Sequence, residues 1–386
     1  MIPFVDLKKQ FGLLEKDIRA RMDAVLAHGR YIMGPEVGEL EEKLAAFVGA
    51  KHAVGCGSGT DALLMALMAL GVGPGDAVFT SPFTFIATAE VVTLLGATPV
   101  FVDVDPQTFN LDPAALARAV GALKAKDPAA HPLPAGYEAL TPRGIIPVDI
   151  FGLPCDYDAI DAVAAEHGLW VVEDAAQSFG ATYKGARTCS FGRIGCTSFF
   201  PAKPLGCYGD GGALFTDDAD LAELLDSIRV HGKGSEKYDN VRTGVNGRLD
   251  TLQAAILLPK FAAFPAEIAQ RQAVAERYAA GLADVEGVAV QRVPEGCASA
   301  WAQFSVLLPG GREAVQAALK QEGVPTAVYY PRPLHLQTAY APLGYAAGSL
   351  PVCEDLSRRI VHVPMHPYLE EAQIGTICRA VAQAVA

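Results

Sequence analysis

The chain has 386 residues, of which 51% are hydrophobic and 19% charged; that balance supplies a large buried core and excludes a disordered chain. At roughly 150 residues per domain, the length predicts two to three folding units. Its 43 acidic and 31 basic side chains leave a formal net charge of −12, which excludes a nucleic-acid binder with a basic face but leaves room for a local anion pocket.

From the N-terminus, Leu13, Leu14, Ile18, Met22, Val25 and Leu26 recur at helical spacing over residues 11–28. A second helix opens at Gly34-Pro35-Glu36, where proline suits a first helical position and an acid favours the positive helix end. Short apolar strands are then predicted over 52–56, 77–80, 99–104, 144–151, 169–173, 195–200 and 212–216. Helices at 61–70, 86–95, 113–123 and 157–167 separate several of them. The alternation predicts an α/β fold: a mainly parallel, seven-stranded sheet flanked by helices, with ligands bound past the strand ends. Residues 121–142, rich in Ala and Pro, read as a surface insertion. A helix over 251–264 leads into a smaller α+β C-terminal domain. There 288–293, 302–308 and 326–331 read as strands, and 312–323 and the last dozen residues as helices. The expected organisation is an N-terminal arm and helix (1–30), a large α/β domain (31–255) and a small domain (256–386). The eight cysteines form no C-x-x-C pair and no Cys/His group has zinc spacing, so no metal is expected. No signal peptide and no span of ~18 apolar residues is read, so a cytoplasmic location away from membranes is expected.

Three segments carry chemistry. Cys56-Gly57-Ser58-Gly59-Thr60-Asp61 lies between a strand and a very apolar helix; small residues and free N–H groups at a helix start attract an anion. Glu173-Asp174 ends a buried strand, placing an acid where it either caps a helix or meets a cation. Lys203 stands between Pro201 and Pro204, where helix and sheet are both disfavoured, so its loop is stiff and irregular. Phe85 supplies an aromatic beside another strand end. A phosphate cradle, a carboxylate, an aromatic lid and a lysine are the four parts that pyridoxal phosphate needs. No G-x-G-x-x-G follows a strand, which sets aside a dinucleotide oxidoreductase.

The segments YIMGPEVGELE, GCGSGTDAL, FTFIAT, VVEDAAQSFGA, TSFFPAKPLGCYGDGGA, GVNGRLDTLQAAIL and VPMHP together resemble the DegT–StrS family of sugar aminotransferases, in the fold type I superfamily. By position in those motifs, Lys203 resembles the Schiff-base lysine and Asp174 the acid paired with the pyridinium nitrogen. Gln177 resembles the residue near the ring hydroxyl, and Phe85 the ring-stacking residue. Gly59, Thr60, Asp61 and Ser198 resemble phosphate contacts. Asn246 and Arg248 resemble residues sent from a neighbouring subunit to the phosphate and the substrate. The resemblance implies a homodimer with composite active sites, L-glutamate as amino donor and a nucleotide-linked keto sugar as acceptor.

Within the family the string SFFPAKPLGCYGDGG resembles enzymes that aminate a UDP-linked 3-oxo-N-acetylglucosaminuronate for bacterial surface polysaccharide such as O-antigen lipopolysaccharide. Enzymes acting on dTDP-linked 3-oxo-6-deoxyhexoses share much of the pattern and are the alternative; a non-catalytic cofactor-binding sensor is a more distant one. Where the uronate enzymes carry His-Tyr, this chain reads Tyr329-Tyr330, followed by Arg332 and His335. Tyr329, Tyr330 and Arg332 are expected to contact substrate. His335 is expected to be structural, because the lysine already supplies a base.

Overall fold

A computed structural model describes residues 2–236 and 238–386. In chain order the first elements are α1 (Leu7–His28), α2 (Pro35–Val48), β1 (His52–Cys56), α3 (Gly59–Ala69), β2 (Asp76–Thr80), α4 (Ala87–Leu94) and β3 (Thr98–Phe101). They are followed by α5 (Pro113–Ala125), β4 (Thr141–Ile146), α6 (Tyr157–His167) and β5 (Trp170–Asp174). A hairpin of β6 (Thr182–Tyr183) and β7 (Ala186–Arg187) precedes β8 (Ile194–Ser198), β9 (Gly212–Thr216) and α7 (Ala219–Arg229). The remainder comprises α8 (Thr251–Leu282), β10 (Ala289–Val290), β11 (Cys297–Ala298), β12 (Phe304–Leu307), α9 (Arg312–Gln321), α10 (Pro351–Arg359), β13 (Ile360–Val363) and α11 (Glu371–Val385).

Seven strands make the main sheet in the order β1-β9-β8-β5-β4-β2-β3. The pairs β2–β3, β2–β4, β4–β5 and β5–β8 are parallel, while β9 runs antiparallel to both β1 and β8. All its strands except β9 therefore point one way, as expected for a two-sided sheet of nearly continuous apolar strands. Helix α3 is buried through Ala62, Leu63, Met65, Ala66 and Leu67 and packs on β8, β9, α4 and α7. Two close approaches at its start require glycine. A Cβ on Gly59 would lie 2.7 Å from Ser198 Cβ, and one on Gly212 would lie 2.6 Å from the Ser58 carbonyl.

Several sequence expectations are corrected. Residues 121–142 are a surface insertion only in part: 127–130, 135, 136, 138 and 139 are exposed, but the first five residues complete α5, and Ala122 and Leu123 are buried. His131 is also buried, with a ring nitrogen 2.9 Å from the Phe101 carbonyl, and Leu133 and Tyr137 pack on the core. The segment 326–331 forms no strand; it makes one bridge, Ala327 to His362. Pro325 before it and Pro331 after it remove the donors a ladder needs. The partner strand of that region is instead β13, which with β10 and β12 forms a small antiparallel sheet.

The helix predicted to end near Phe264 runs on to Leu282, straight through Pro259 and Pro265. Proline's missing N–H normally breaks a helix. Here Ala254, Leu257, Phe264, Val274 and Tyr278 are buried along α8, which packs on α1, α2 and α11, so tertiary burial outweighs that cost. By length and composition α8 is apolar enough to cross a membrane, but these contacts make it a core helix. Residues 255/256, the expected domain boundary, lie within it.

Candidate active site

A cleft of about 650 Å³ opens at the carboxyl ends of β1, β2, β5 and β8, the position at which such sheets bind ligands. The turn after β1 brings Ser58, Gly59 and Thr60; the segment after β2 brings Thr84, Phe85 and Thr88. The end of β5 brings Asp174 and Gln177, and the loop after β8 brings Ser198, Phe200, Lys203 and Asp210. The small-sheet region adds Gln303, Tyr329 and Tyr330. A larger groove of about 870 Å³ lies between α1, α2 and α8, but its charged side chains are largely spent on each other, Arg21 and Lys43 on Glu39. Converging reactive groups, rather than volume, single out the first cleft.

Each part of the cleft has a local cause. Ser58 caps α3, its Oγ accepting from the Asp61 N–H at 3.0 Å. Among the described residues the N–H groups of Gly59 and Thr60 enter no backbone hydrogen bond, which leaves two donors of the helix start free. Asp174 is buried. Its Oδ2 accepts from Thr88 Oγ1 at 2.8 Å and its Oδ1 from the Ala176 N–H at 3.2 Å. Burial raises its pKa, opposed by those two hydrogen bonds and by the charge of Lys203. Lys203 is fixed by its backbone N–H to the Phe200 carbonyl at 2.9 Å. Burial lowers its amine to about 8, with Asp174 pulling the other way.

Gln177 Oε1 accepts from the Phe151 N–H at 2.8 Å, and its Nε2 donates to the Tyr330 hydroxyl at 3.4 Å. Burial and the neighbouring Asp174 charge push that phenol upward. Phe85 is 55% exposed, so it is a rim residue and not core packing; its ring lies 6.5 Å from that of Tyr330.

Of the residues singled out from sequence, Gly59, Thr60, Phe85, Asp174, Gln177, Ser198, Lys203, Tyr329 and Tyr330 line the cleft. Asp61 does not; its N–H is taken by the cap of α3. Asn246 and Arg332 are exposed and, with Arg248, stand outside the cleft of their own chain. His335 is buried against Glu354, Nε2 to Oε1 3.1 Å, and takes no part in the cleft. Sequence reading missed Thr84, Thr88, Phe200, Asp210 and Gln303. Thr88 stands in the FTFIAT motif and could have been found there; Gln303, inside an apolar strand pattern, gave no signal.

The residues fit pyridoxal 5′-phosphate. The two free N–H groups at the start of α3, in a cradle that a Cβ on Gly59 would fill, suit a phosphate. Asp174 is a buried, hydrogen-bonded carboxylate suited to a ring N–H. The Lys203 amine makes no hydrogen bond or ion pair among the described residues, and burial favours its neutral form.

Comparison with known proteins agrees. The profile described as the DegT/DnrJ/EryC1/StrS aminotransferase family matches residues 13–382. A Pseudomonas aeruginosa protein named UDP-2-acetamido-2-deoxy-3-oxo-D-glucuronate aminotransferase is 50% identical over 382 residues, covering 98% of this chain and 99% of its own. An Acidithiobacillus ferrooxidans protein named UDP-N-acetyl-3-dehydro-alpha-D-glucosamine 3-aminotransferase is 41% identical, covering 98% and 97%. A solved structure of S. venezuelae DesV in complex with a ketimine intermediate superposes with a TM-score of 0.91 at 37% identity, covering 99% of this chain and 98% of the other.

Proposed function

The chain belongs to the DegT/DnrJ/EryC1/StrS aminotransferase family, a family dependent on pyridoxal 5′-phosphate, and from that premise we propose that it transfers an amino group from L-glutamate to the 3-keto carbon of a UDP-linked 2-acetamido sugar. A glucuronate is the favoured acceptor, on the 50% identity to the Pseudomonas aeruginosa relative. The observation that carries the catalytic reading is the meeting of Lys203 and Asp174 in one cleft at the strand ends.

When bound, the cofactor supplies an aldehyde for amines and a ring that takes up the electron pair released as a C–H bond breaks. Lys203 would hold it through its amine, Asp174 through the ring nitrogen, and the start of α3 with Ser198 through the phosphate. At a pKa of about 8 roughly one lysine in ten is neutral at pH 7, against about one in three thousand at the ordinary value. A neutral amine is the nucleophile that the aldehyde would need, and a neutral Lys203 amine beside a bound donor would be the base that takes the proton from the donor's Cα. Thr88 and the Ala176 N–H keep the Asp174 carboxylate aimed while it stabilises positive charge on its partner. The hydrogen bond from Gln177 to Tyr330 joins the two walls of the cleft beside the reacting groups.

Among the described residues lining the cleft, Lys203 is the sole cation, while Asp174 and Asp210 are acidic. A diphosphate-linked acceptor needs positive charge. Arg248 of a second copy supplies it across a homodimer, with Arg332 at the rim, while Asn246 of that copy offers its neutral amide N–H to the cofactor phosphate. The exposed Tyr31, Ile32 and Val241 near that segment in sequence or pairing support such an interface. A protein of this kind works in the cytoplasm, where nucleotide sugars are made.

The test is a panel of UDP- and dTDP-linked 3-amino sugars incubated with 2-oxoglutarate, followed by mass spectrometry. Loss of the amine from UDP-linked 3-amino-2-acetamido sugars is expected. Turnover confined to dTDP-linked 6-deoxy sugars would overturn the acceptor assignment.

A further inference from the structure

The outer edge of the main sheet is closed by an ion pair instead of a strand. β1 stands at that edge, with β9 on its inner side. On the open side the Gly55 N–H donates to Glu41 Oε1 at 2.7 Å, and the Gly55 carbonyl accepts from Arg229 Nη1 at 2.8 Å. Glu41 stands in α2 and Arg229 at the end of α7; Arg229 is buried and also donates to Glu41. Asp226 takes the Nε edge of the same guanidinium. Two residues on, the edge passes from side chains to backbone. The Gly57 N–H donates to the Gly247 carbonyl at 3.0 Å, and the Gly247 N–H to the Arg229 carbonyl at 3.0 Å. Gly247 is thus gripped between the turn that opens α3 and the residue whose side chain closes the edge.

The segment held in this way is extended. Asn246, Arg248 and Asp250 bridge in turn to Val230, Cys56 and Ile32, and successive side chains of such a run face opposite ways. Val245 packs on the core, and Gly247 and Leu249 are buried, so Asn246 and Arg248 share the outward face. These are the two side chains that the proposed function sends to the cleft of a second copy. Resting on that reading, we propose that Glu41 and Arg229 are positioning residues for the neighbouring subunit's active site. The pair fixes the register of residues 245–248, and through it the aim of Asn246 and Arg248. Neither Glu41 nor Arg229 lines the cleft of its own chain. An arginine suits the place because its planar fork bonds a carbonyl and two carboxylates at once, which the point charge of a lysine does not. Deleting either partner would strand a buried charge, so conservative substitutions are the informative ones.

The experiment uses the holoenzyme as mixed dimers, purified through a different tag on each chain, with Lys203→Ala silencing one of the two sites. In the first arrangement Lys203→Ala is on one chain and Arg229→Lys on the other. The single site with a lysine then receives residues 245–248 from the chain whose Arg229 is intact. In the second arrangement both substitutions are on one chain and its partner is unaltered, so the working site receives the loosened segment. Turnover is read with 2-oxoglutarate and the amino sugar that the wild type accepts in the panel above. It is expected at about half the wild-type value in the first arrangement and about 10- to 100-fold lower in the second. Glu41→Gln in place of Arg229→Lys should give the same order, and cofactor absorbance reports that each dimer is folded and loaded. Equal turnover in the two arrangements, or the reverse order, would overturn the proposal. Arg248→Ala, placed in the same two arrangements, tests the shared site by itself. If it shows no difference between them, the shared site falls and the proposal with it. If it shows the expected order while Arg229→Lys and Glu41→Gln do not, the positioning role alone falls.

Discussion

The two walls of the cleft are built differently. On the main-sheet wall the carboxylate, the amide and the capping hydroxyl are each held by another group, Asp174 by Thr88 and the Ala176 N–H, Gln177 by Phe151 and Ser58 by Asp61, while the Lys203 amine makes no hydrogen bond among the described residues. On the small-sheet wall, among the described residues, the Gln303 side chain makes no hydrogen bond and no charged group lines the cleft. A rigid, charged wall suits a cofactor that never changes, since fixed dipoles cost no reorganisation during reaction. An uncharged, underused wall suits substrates that alternate between an amino acid and a sugar.

The largest test of this contrast falls on the main-sheet wall. Lys203→Ala is expected to lower turnover about 10⁴-fold or more. It should also abolish the covalent cofactor adduct that borohydride would otherwise trap on the peptide containing residue 203. A trapped adduct elsewhere, or retained turnover, would dissolve the distinction. Asp174→Asn keeps shape and removes charge, and should slow proton transfer in single turnover by about 10²- to 10³-fold; an unchanged rate removes the carboxylate from the chemistry.

A gentler probe is pH. The Lys203 amine lies at about 8 instead of its ordinary value. Covalent capture of added cofactor by cofactor-free protein should therefore slow roughly tenfold per unit as pH falls below about 8, and level off above it. A rate still climbing tenfold per unit at pH 10 would mean that burial does not act on this amine.

On the other side, His362 lies buried in β13 against Ser305 Oγ at 3.1 Å, and burial pushes it down to about 3. The unfolded chain binds that proton from about pH 6.5 downward and the folded chain does not. The contribution to stability is complete above pH 6.5 and is lost as pH falls toward about 3, by roughly 1.4 kcal/mol per unit. Urea titrations of wild type and His362→Asn between pH 7 and 4.5 should diverge in slope; parallel curves would show that this histidine does not set the acid limit.

The main-sheet wall was also the legible one. Its strands carry near-continuous apolar runs and its functional groups stand at turns marked by Gly and Pro, so β1 and β9 fall at the predicted residues 52–56 and 212–216. The small-sheet wall hid itself. Tyr329 and Tyr330 sit in a β-branched, aromatic run that reads as strand, but Pro325 and Pro331 keep it out of the ladder. Gln303 was invisible because a single polar residue before an apolar strand carries no signal of where its side chain ends up. The length of α8 was misjudged for a related reason: two prolines are local stop signs, and what overrides them is packing against α1, α2 and α11, which are distant in sequence.

That long helix has a consequence for how the molecule comes apart. Ala254, Leu257, Leu258 and Phe264 belong to the apolar cluster under the main sheet, and Val274, Ala275, Tyr278 and Leu282 to the one under the small sheet. A single unbroken rod is thus a shared member of both cores, and neither can melt while leaving the other's helix intact. Heating should give one cooperative calorimetric transition instead of two, the behaviour of a single thermodynamic unit assembled from two layers.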